Sequence, residues 1–194
     1  NQGEAGLGWS VATAGDINAD GFEDVIVGVP YYSNGQVNEG AAFVYHGSAS
    51  GLSGSAPLPS GPAPKPDWRA ESDQAGSFFG ISVATAGDVD SDGYAEVVVG
   101  ADLYSNGQTS EGVAFVYHGS ASGLQTAAGW MGEADQDNSS FGSAVAGAGD
   151  VDKDGFADVV IGAPYYIQSG IQSGAAFIYR GVAGGSFFLI PNPS

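Results

Sequence analysis

Asp150-Val151-Asp152-Lys153-Asp154-Gly155-Phe156-Ala157-Asp158 is one of three versions of the same nine-residue stretch in this chain. The others are Asp16-Ile17-Asn18-Ala19-Asp20-Gly21-Phe22-Glu23-Asp24 and Asp88-Val89-Asp90-Ser91-Asp92-Gly93-Tyr94-Ala95-Glu96. All three keep an oxygen-bearing side chain at positions 1, 3, 5 and 9, glycine at position 6 and an aromatic at position 7. A hard cation such as Ca²⁺ takes about six to eight oxygens from carboxylates, amides, backbone carbonyls and water. Alternate residues of a tight loop can face one way, and the glycine permits the sharp turn that returns position 9 to the ion. Three Ca²⁺ sites are expected. Their side-chain ligands would be Asp16, Asn18, Asp20 and Asp24, then Asp88, Asp90, Asp92 and Glu96, then Asp150, Asp152, Asp154 and Asp158. The backbone carbonyls of Phe22, Tyr94 and Phe156 would complete the sets. A single copy is explained equally by an Asx-rich turn. Three copies that keep the ligand positions while positions 2, 4 and 8 vary favour the ion. Mg²⁺ fits less well, because it dehydrates reluctantly and is seldom caged by protein alone.

An EF-hand loop would need a bidentate Glu at position 12, and that position holds Val27, Val99 and Ile161. The residues after each loop, Asp24-Val25-Ile26-Val27-Gly28, Glu96-Val97-Val98-Val99-Gly100 and Asp158-Val159-Val160-Ile161-Gly162, are β-branched runs ended by glycine. They read as buried strands, so each ion loop is a turn running into a strand.

The chain of 194 residues carries 22 acids against 4 bases, a net charge of −18, and half of the acids are loop ligands. Three bound Ca²⁺ would bring the net charge to about −12. Nucleic acids and anionic lipids need basic surfaces, so neither is an expected partner. With no cysteine there is neither a disulfide framework nor a thiolate metal site. No apolar run reaches spanning length, so no membrane insertion is expected. No leader opens the chain, so any signal peptide is expected to have been removed already. A calcium-rich design free of cysteine suits a secreted, extracellular or cell-surface location.

The repetition extends beyond the loops. Leu7-Gly8, Phe79-Gly80 and Phe141-Gly142 precede them, and Gly28-Val29-Pro30, Gly100-Ala101-Asp102 and Gly162-Ala163-Pro164 follow. Ala41-Ala42-Phe43-Val44-Tyr45, Val113-Ala114-Phe115-Val116-Tyr117 and Ala175-Ala176-Phe177-Ile178-Tyr179 come next. Each repeat yields four short strands: an Ala-rich first strand, the Val/Ile run, the Phe-Tyr segment and one around Trp68 or Trp130. Asn34-Gly35 and Asn106-Gly107 signal a hairpin between the second and third strands, with Ser169-Gly170 a weaker version. The units are blade repeat 1 over 1–71, blade repeat 2 over 72–133 and blade repeat 3 over 134–194, the last with a divergent C-terminal tail. A Pro-rich insertion at 53–66 lengthens the first unit and is expected to be an exposed loop. The fold class is all-β: three four-stranded propeller-type blades, an incomplete ring within one chain.

Phe-Gly at 79–80 and 141–142, together with Gly-Ala-Pro at 162–164, resembles the FG-GAP repeat of the integrin α-subunit β-propeller. The loops are similar to that family's calcium sites, including the acid at the ninth position. Departures are Leu7 for Phe, Val29 and Asp102 within Gly-Ala-Pro, and Asn18 for an Asp ligand. The resemblance implies a calcium-binding interaction or adhesion module that takes a protein or glycan ligand. Three blades are too few to close a ring, which needs about four or more. Further blades from a parent chain or from copies of this one are therefore expected partners. Two other roles fit the repeats: a structural subunit of a calcium-stabilised extracellular polymer or fibre, and non-catalytic accessory repeats of a larger secreted enzyme. No nucleophile triad, P-loop or dinucleotide glycine pattern is present, so the repeats are not expected to be an enzyme. His46, His118 and Arg180 recur at one repeat position and read as structural.

Overall fold

The computed structural model describes residues 5–53 and 65–190, so most of the insertion at 53–66 lies outside the described residues. Strands β1 (Ser10–Gly15), β2 (Asp24–Val29), β3 (Ala41–Tyr45) and β4 (Trp68–Glu71) form one antiparallel sheet in that order. Strands β5 (Ser82–Gly87), β6 (Glu96–Ala101), β7 (Val113–Tyr117) and β8 (Trp130–Glu133) repeat it. The third unit comprises β9 (Ala144–Gly149), β10 (Asp158–Ala163), the short pair β11 (Ile167–Gln168) and β12 (Ile171–Gln172), then β13 (Ala175–Val182) and β14 (Ser186–Leu189). Its four-stranded sheet runs β9-β10-β13-β14, and the divergent tail supplies the outer strand. The described residues contain no helix, and the three blades do not close a ring.

Registers coincide from blade to blade, with Ser10 opposite Gly28, Ser82 opposite Gly100 and Ala144 opposite Gly162. In each inner strand the pairing skips one alanine, so Gly15 pairs with Asp24, Gly87 with Glu96 and Gly149 with Asp158. The three glycines have φ of +79°, +80° and +69°. A glycine at positive φ makes a bulge cheap, and the bend aims the next residue, the first of each acidic loop, off the sheet.

The small residues act between blades. Ser10 Oγ donates to Gly80 O at 2.8 Å and Ser82 Oγ to Gly142 O at 2.7 Å. A Cβ on Gly28 would lie 2.0 Å from Gly80 O, and one on Gly100 1.9 Å from Gly142 O. Glycine at the end of each Val/Ile run therefore lets the next blade's Phe-Gly backbone seat against the sheet. Phe79 and Phe141 are buried between units, with ring centroids 5.4 Å from Phe115 and 5.3 Å from Phe177. Tryptophans of the outer strands reach forward: Trp68 stacks edge-on with Tyr117 at 4.9 Å and Trp130 with Tyr179 at 5.0 Å. The middle blade, covered on both sides, has every residue of β6 buried.

The hairpins expected between the second and third strands form, since β2 pairs antiparallel with β3 and β6 with β7, but through longer loops. Asn34-Gly35 and Asn106-Gly107 sit in long connections between paired strands, and neither closes a two-residue turn. A buried carboxylate captures the backbone there: Asn34 N donates to Glu39 Oε1, and Asn106 N to Glu111 Oε1 at 2.7 Å. In the third blade Ser173 stands one residue before Gly174, where Glu39 and Glu111 stand before Gly40 and Gly112. There the connection pairs with itself as β11–β12 around Ser169-Gly170, both at positive φ, as a type I′ turn requires.

Candidate metal centre

The loops between β1 and β2, β5 and β6, and β9 and β10 have one geometry. Position 4 (Ala19, Ser91, Lys153) and position 6 (Gly21, Gly93, Gly155) both take left-handed backbone, with φ of 54–63° and 88–95°. This curls each loop so that its first carboxylate receives two of its own backbone donors. Asp150 Oδ1 accepts Asp154 N at 3.1 Å and Oδ2 accepts Gly155 N at 3.0 Å, and Asp16 and Asp88 do the same. The fifth-position acids turn inward along the loop, accepting Phe22 N, Tyr94 N and Phe156 N at 3.0 Å.

Position 9 is the buried end. Asp24, Glu96 and Asp158 are fully inaccessible to solvent. One oxygen of each accepts a loop N–H: Ile17 at 3.1 Å, Val89 at 2.8 Å and Val151 at 2.7 Å. The other accepts the N–H of Gly47 at 2.7 Å, Gly119 at 3.2 Å or Gly181 at 3.1 Å, just past β3 and β7 in the first two blades and near the end of β13 in the third. Only glycine fits there, since a Cβ would lie 2.2–2.6 Å from the carbonyl of Glu23, Ala95 or Ala157. The ninth carboxylate thus ties the loop to the blade whether or not an ion is bound. Sequence reasoning missed this second role, although the repeated glycines two residues past Tyr45, Tyr117 and Tyr179 signal it.

Positions 1, 3 and 9 converge. Asp88, Asp90 and Glu96 each offer a carboxylate oxygen within 4.8 Å of the others, as do Asp150, Asp152 and Asp158. In the first loop Asn18 takes the third position and donates to Asp20 Oδ2 at 3.1 Å. Asp92 and Asp154, also expected as ligands, lie outside the two clusters. The residues fit a hard divalent cation: carboxylate oxygens keep lone pairs beyond their backbone bonds, and buried Asp90 Oδ1 has no partner.

Burial pushes the Glu96 carboxyl up to about 8, against the lowering effect of its two N–H donors, and Asp90 and Asp92 push it further. Asp24 and Asp158 are raised for the same leading reason. Such carboxyls resist ionising alone and ionise readily beside a cation. A basic residue flanks each loop: His118 Nδ1 lies 3.8 Å from Asp90 Oδ2 and 3.9 Å from Glu96 Oε1, and Arg180 Nη1 lies 3.8 Å from Asp152 Oδ2. His46 acts on Asp24 in the first blade, so the recurring residue read as structural is an electrostatic neighbour of each loop.

The loops also join blade to blade. Ala95 N donates to Asp16 O at 3.1 Å, Ser120 N to Ile17 O at 3.1 Å and Ala157 N to Asp88 O at 3.0 Å. A family model described as "FG-GAP repeat" matches residues 7–45, 79–117 and 141–179, each span running from the inner strand through the loop to the third strand. The chain belongs to the FG-GAP repeat family. Integrin alpha-7 of Rattus norvegicus is similar, 33% identical over 159 residues that cover 81% of this chain and 13% of that protein. Integrin alpha pat-2 of Caenorhabditis briggsae is 35% identical over 173 residues, covering 80% of this chain and 13% of its own length. Integrin alpha-6 of Gallus gallus is 29% identical over 162 residues, with 80% and 13% covered. The chain therefore spans about an eighth of the relatives it matches. Within the FG-GAP pattern, Leu7 is exposed, whereas Phe79 and Phe141, each seated against the preceding blade, are buried.

Proposed function

We propose that these FG-GAP repeats are a calcium-binding interaction module of an integrin-type adhesion propeller, working outside the cell or at its surface. The observation that carries this reading is the convergence of positions 1, 3 and 9 in a loop whose backbone also holds the next blade. An ion bound by Asp88, Asp90 and Glu96 offsets their mutual repulsion and fixes the turn from which Asp88 O reaches Ala157 N. Calcium then stiffens the junction between blades and holds the surrounding loops in a shape that a protein or glycan can recognise. Asn18, Asp20, Asp24, Asp92, Asp154 and the carbonyls of Phe22, Tyr94 and Phe156 belong to the proposed ligand sets. The reading assigns no catalytic step to these residues. The blade units are taken as 1–71, 72–133 and 134–194, with the remaining blades supplied by a parent chain or by other copies.

Calcium titration of the chain by calorimetry and thermal melting tests this. Saturable binding should raise the melting temperature, and Asp88→Asn or Asp150→Asn should each remove one ion. A melting temperature equal in calcium and in chelator would overturn the proposal. A second reading, a calcium-stabilised polymer, draws on the open apolar face of the first blade, where Leu7, Trp9 and Val11 are 55%, 57% and 65% exposed. Filaments in calcium that disperse in chelator, seen by electron microscopy, would favour it.

A further inference from the structure

A second acidic cluster lies far along the blade from the loops. Glu39, before β3, and Glu71 and Asp73, at and after the end of β4, each offer a carboxylate oxygen within 4.8 Å of the other two. Glu39 is completely buried. Its Oε1 accepts Asn34 N, while its buried Oε2 has no hydrogen-bond partner. Glu71 Oε2 accepts Asn34 Nδ2 at 3.0 Å, and its Oε1 forms an ion pair with Arg69 Nε at 2.9 Å without a hydrogen bond. Asp73 is exposed and sits at φ +55°, held in the left-handed region where its carboxylate joins the pair.

Three carboxylates with one guanidinium leave a net negative charge around a buried, unpartnered oxygen. Burying a lone acceptor is costly, and burying a charged one more so. The neighbouring blades supply internal comparisons. Glu111, Glu133 and Asp135 repeat the trio in blade 2, where Glu133 and Asp135 raise the Glu111 carboxyl beyond the effect of burial. There Glu111 Oε2 is satisfied: in the amide orientation its hydrogen bonds require, the Gln108 nitrogen donates to it at 2.8 Å. Blade 3 has Ser173 in place of the buried glutamate. Only the first blade, among the described residues, leaves this glutamate oxygen without a hydrogen-bond partner beside two other carboxylates.

We propose that Glu39, Glu71 and Asp73 form a cation site distinct from the acidic loops and particular to the first blade, taking a hard divalent ion with the coordination habits of Ca²⁺. Three carboxylates that each place an oxygen within 4.8 Å of the others can share one ion, and Ca²⁺ accepts such irregular all-protein oxygen sets where Mg²⁺ demands near-ideal octahedral geometry and keeps its waters. The ion gives Glu39 Oε2 its missing partner and draws Glu71 Oε1 from its unaligned pairing with Arg69. It also links the ends of β3 and β4 with the turn at Asp73 that leads to the next blade. The site shares oxygen-ligand chemistry with the loops but no residue, so each can fail without the other.

Equilibrium dialysis of the 194-residue chain against ⁴⁵Ca²⁺ tests the proposal. Glu39→Gln keeps the acceptor for Asn34 N, and Asp73→Asn suits the left-handed backbone, so both variants should fold. Each should bind one Ca²⁺ fewer than the parent chain, whereas Glu111→Gln should bind the same number. Asp150→Asn reads the loop sites independently, by losing an ion of its own. An unchanged count in either Glu39→Gln or Asp73→Asn, in protein with parent-like circular dichroism, overturns the proposal.

Discussion

Position 1 and position 9 of the acidic loop are both carboxyl side chains and do different physical jobs. Asp150 is exposed and accepts N–H groups that lie at the surface, so Asp150→Ala should lower stability mainly when calcium is present. Asp158 is buried, and Asp158→Ala strands the N–H groups of Val151 and Gly181. A buried unpaired donor costs about 1–3 kcal/mol, so this variant should lose roughly 2–4 kcal/mol in chelator as well as in calcium. Denaturant unfolding of the two variants under both conditions checks the contrast. Glu96 adds a pH dependence. Its folded pKa, about 8, lies above the ordinary glutamate value of about 4.5, so the fold favours the protonated form. In ion-free protein that contribution is complete below about pH 4.5 and is lost as pH rises through about 8. Calcium needs the ionised carboxylate, so binding at neutral pH should release a proton and tighten as pH rises from about 6 to about 8.5. Calorimetry in two buffers of different ionisation enthalpy measures the proton directly, and equal apparent heats would contradict it. Both roles of the ninth residue rest on one carboxylate, but only the ligand role was legible as spacing. The partner glycines lie 23 residues downstream and are matched to it by sheet pairing.

At the scale of the strand, the glycine that ends each Val/Ile run decides how closely the next blade approaches. Gly100→Ala places a methyl 1.9 Å from Gly142 O, so something in the interface must shift. Overpacking of this kind costs about 3 kcal/mol or more where the obstacle is backbone. Gly162 stands at the equivalent place in the third blade, where a Cβ would meet Ala144 alone, its Cβ at 3.5 Å and its O at 3.8 Å, both ordinary contacts. Gly162→Ala should therefore change stability little, and a paired melting experiment reads the difference. Eleven of the twelve blade strands were legible as short runs of β-branched, aromatic or small residues, while the outer strand of the third blade, β14, formed from the tail that departs from the repeat. The shape of the β2–β3 connection was not legible, because the buried carboxylate of Glu39, five residues on, takes the Asn34 N–H. Where that glutamate is replaced by Ser173, the local preference prevails and β11–β12 forms.

For the whole molecule, the contrast between the buried middle blade and its neighbours sets the behaviour in solution. β6 is buried throughout, while alternate residues of β1 and most of β9 remain open. Apolar faces of this kind are covered by another unit in a repeat architecture. The isolated chain should therefore associate with rising concentration, and Val11→Lys on β1 should reduce the mass seen by light scattering. A mass unaffected by that substitution would separate association from this face. The sequence by itself determined the FG-GAP repeat, the blade strands and the positions that gather oxygen, because each depends on spacing within a few residues. The tertiary structure alone decided the second task of the ninth carboxylate, the basic neighbour at each loop and the buried Glu39 beside Glu71 and Asp73. Those depend on groups tens of residues apart, which meet only when antiparallel strands bring their ends together and adjacent blades press backbone to backbone.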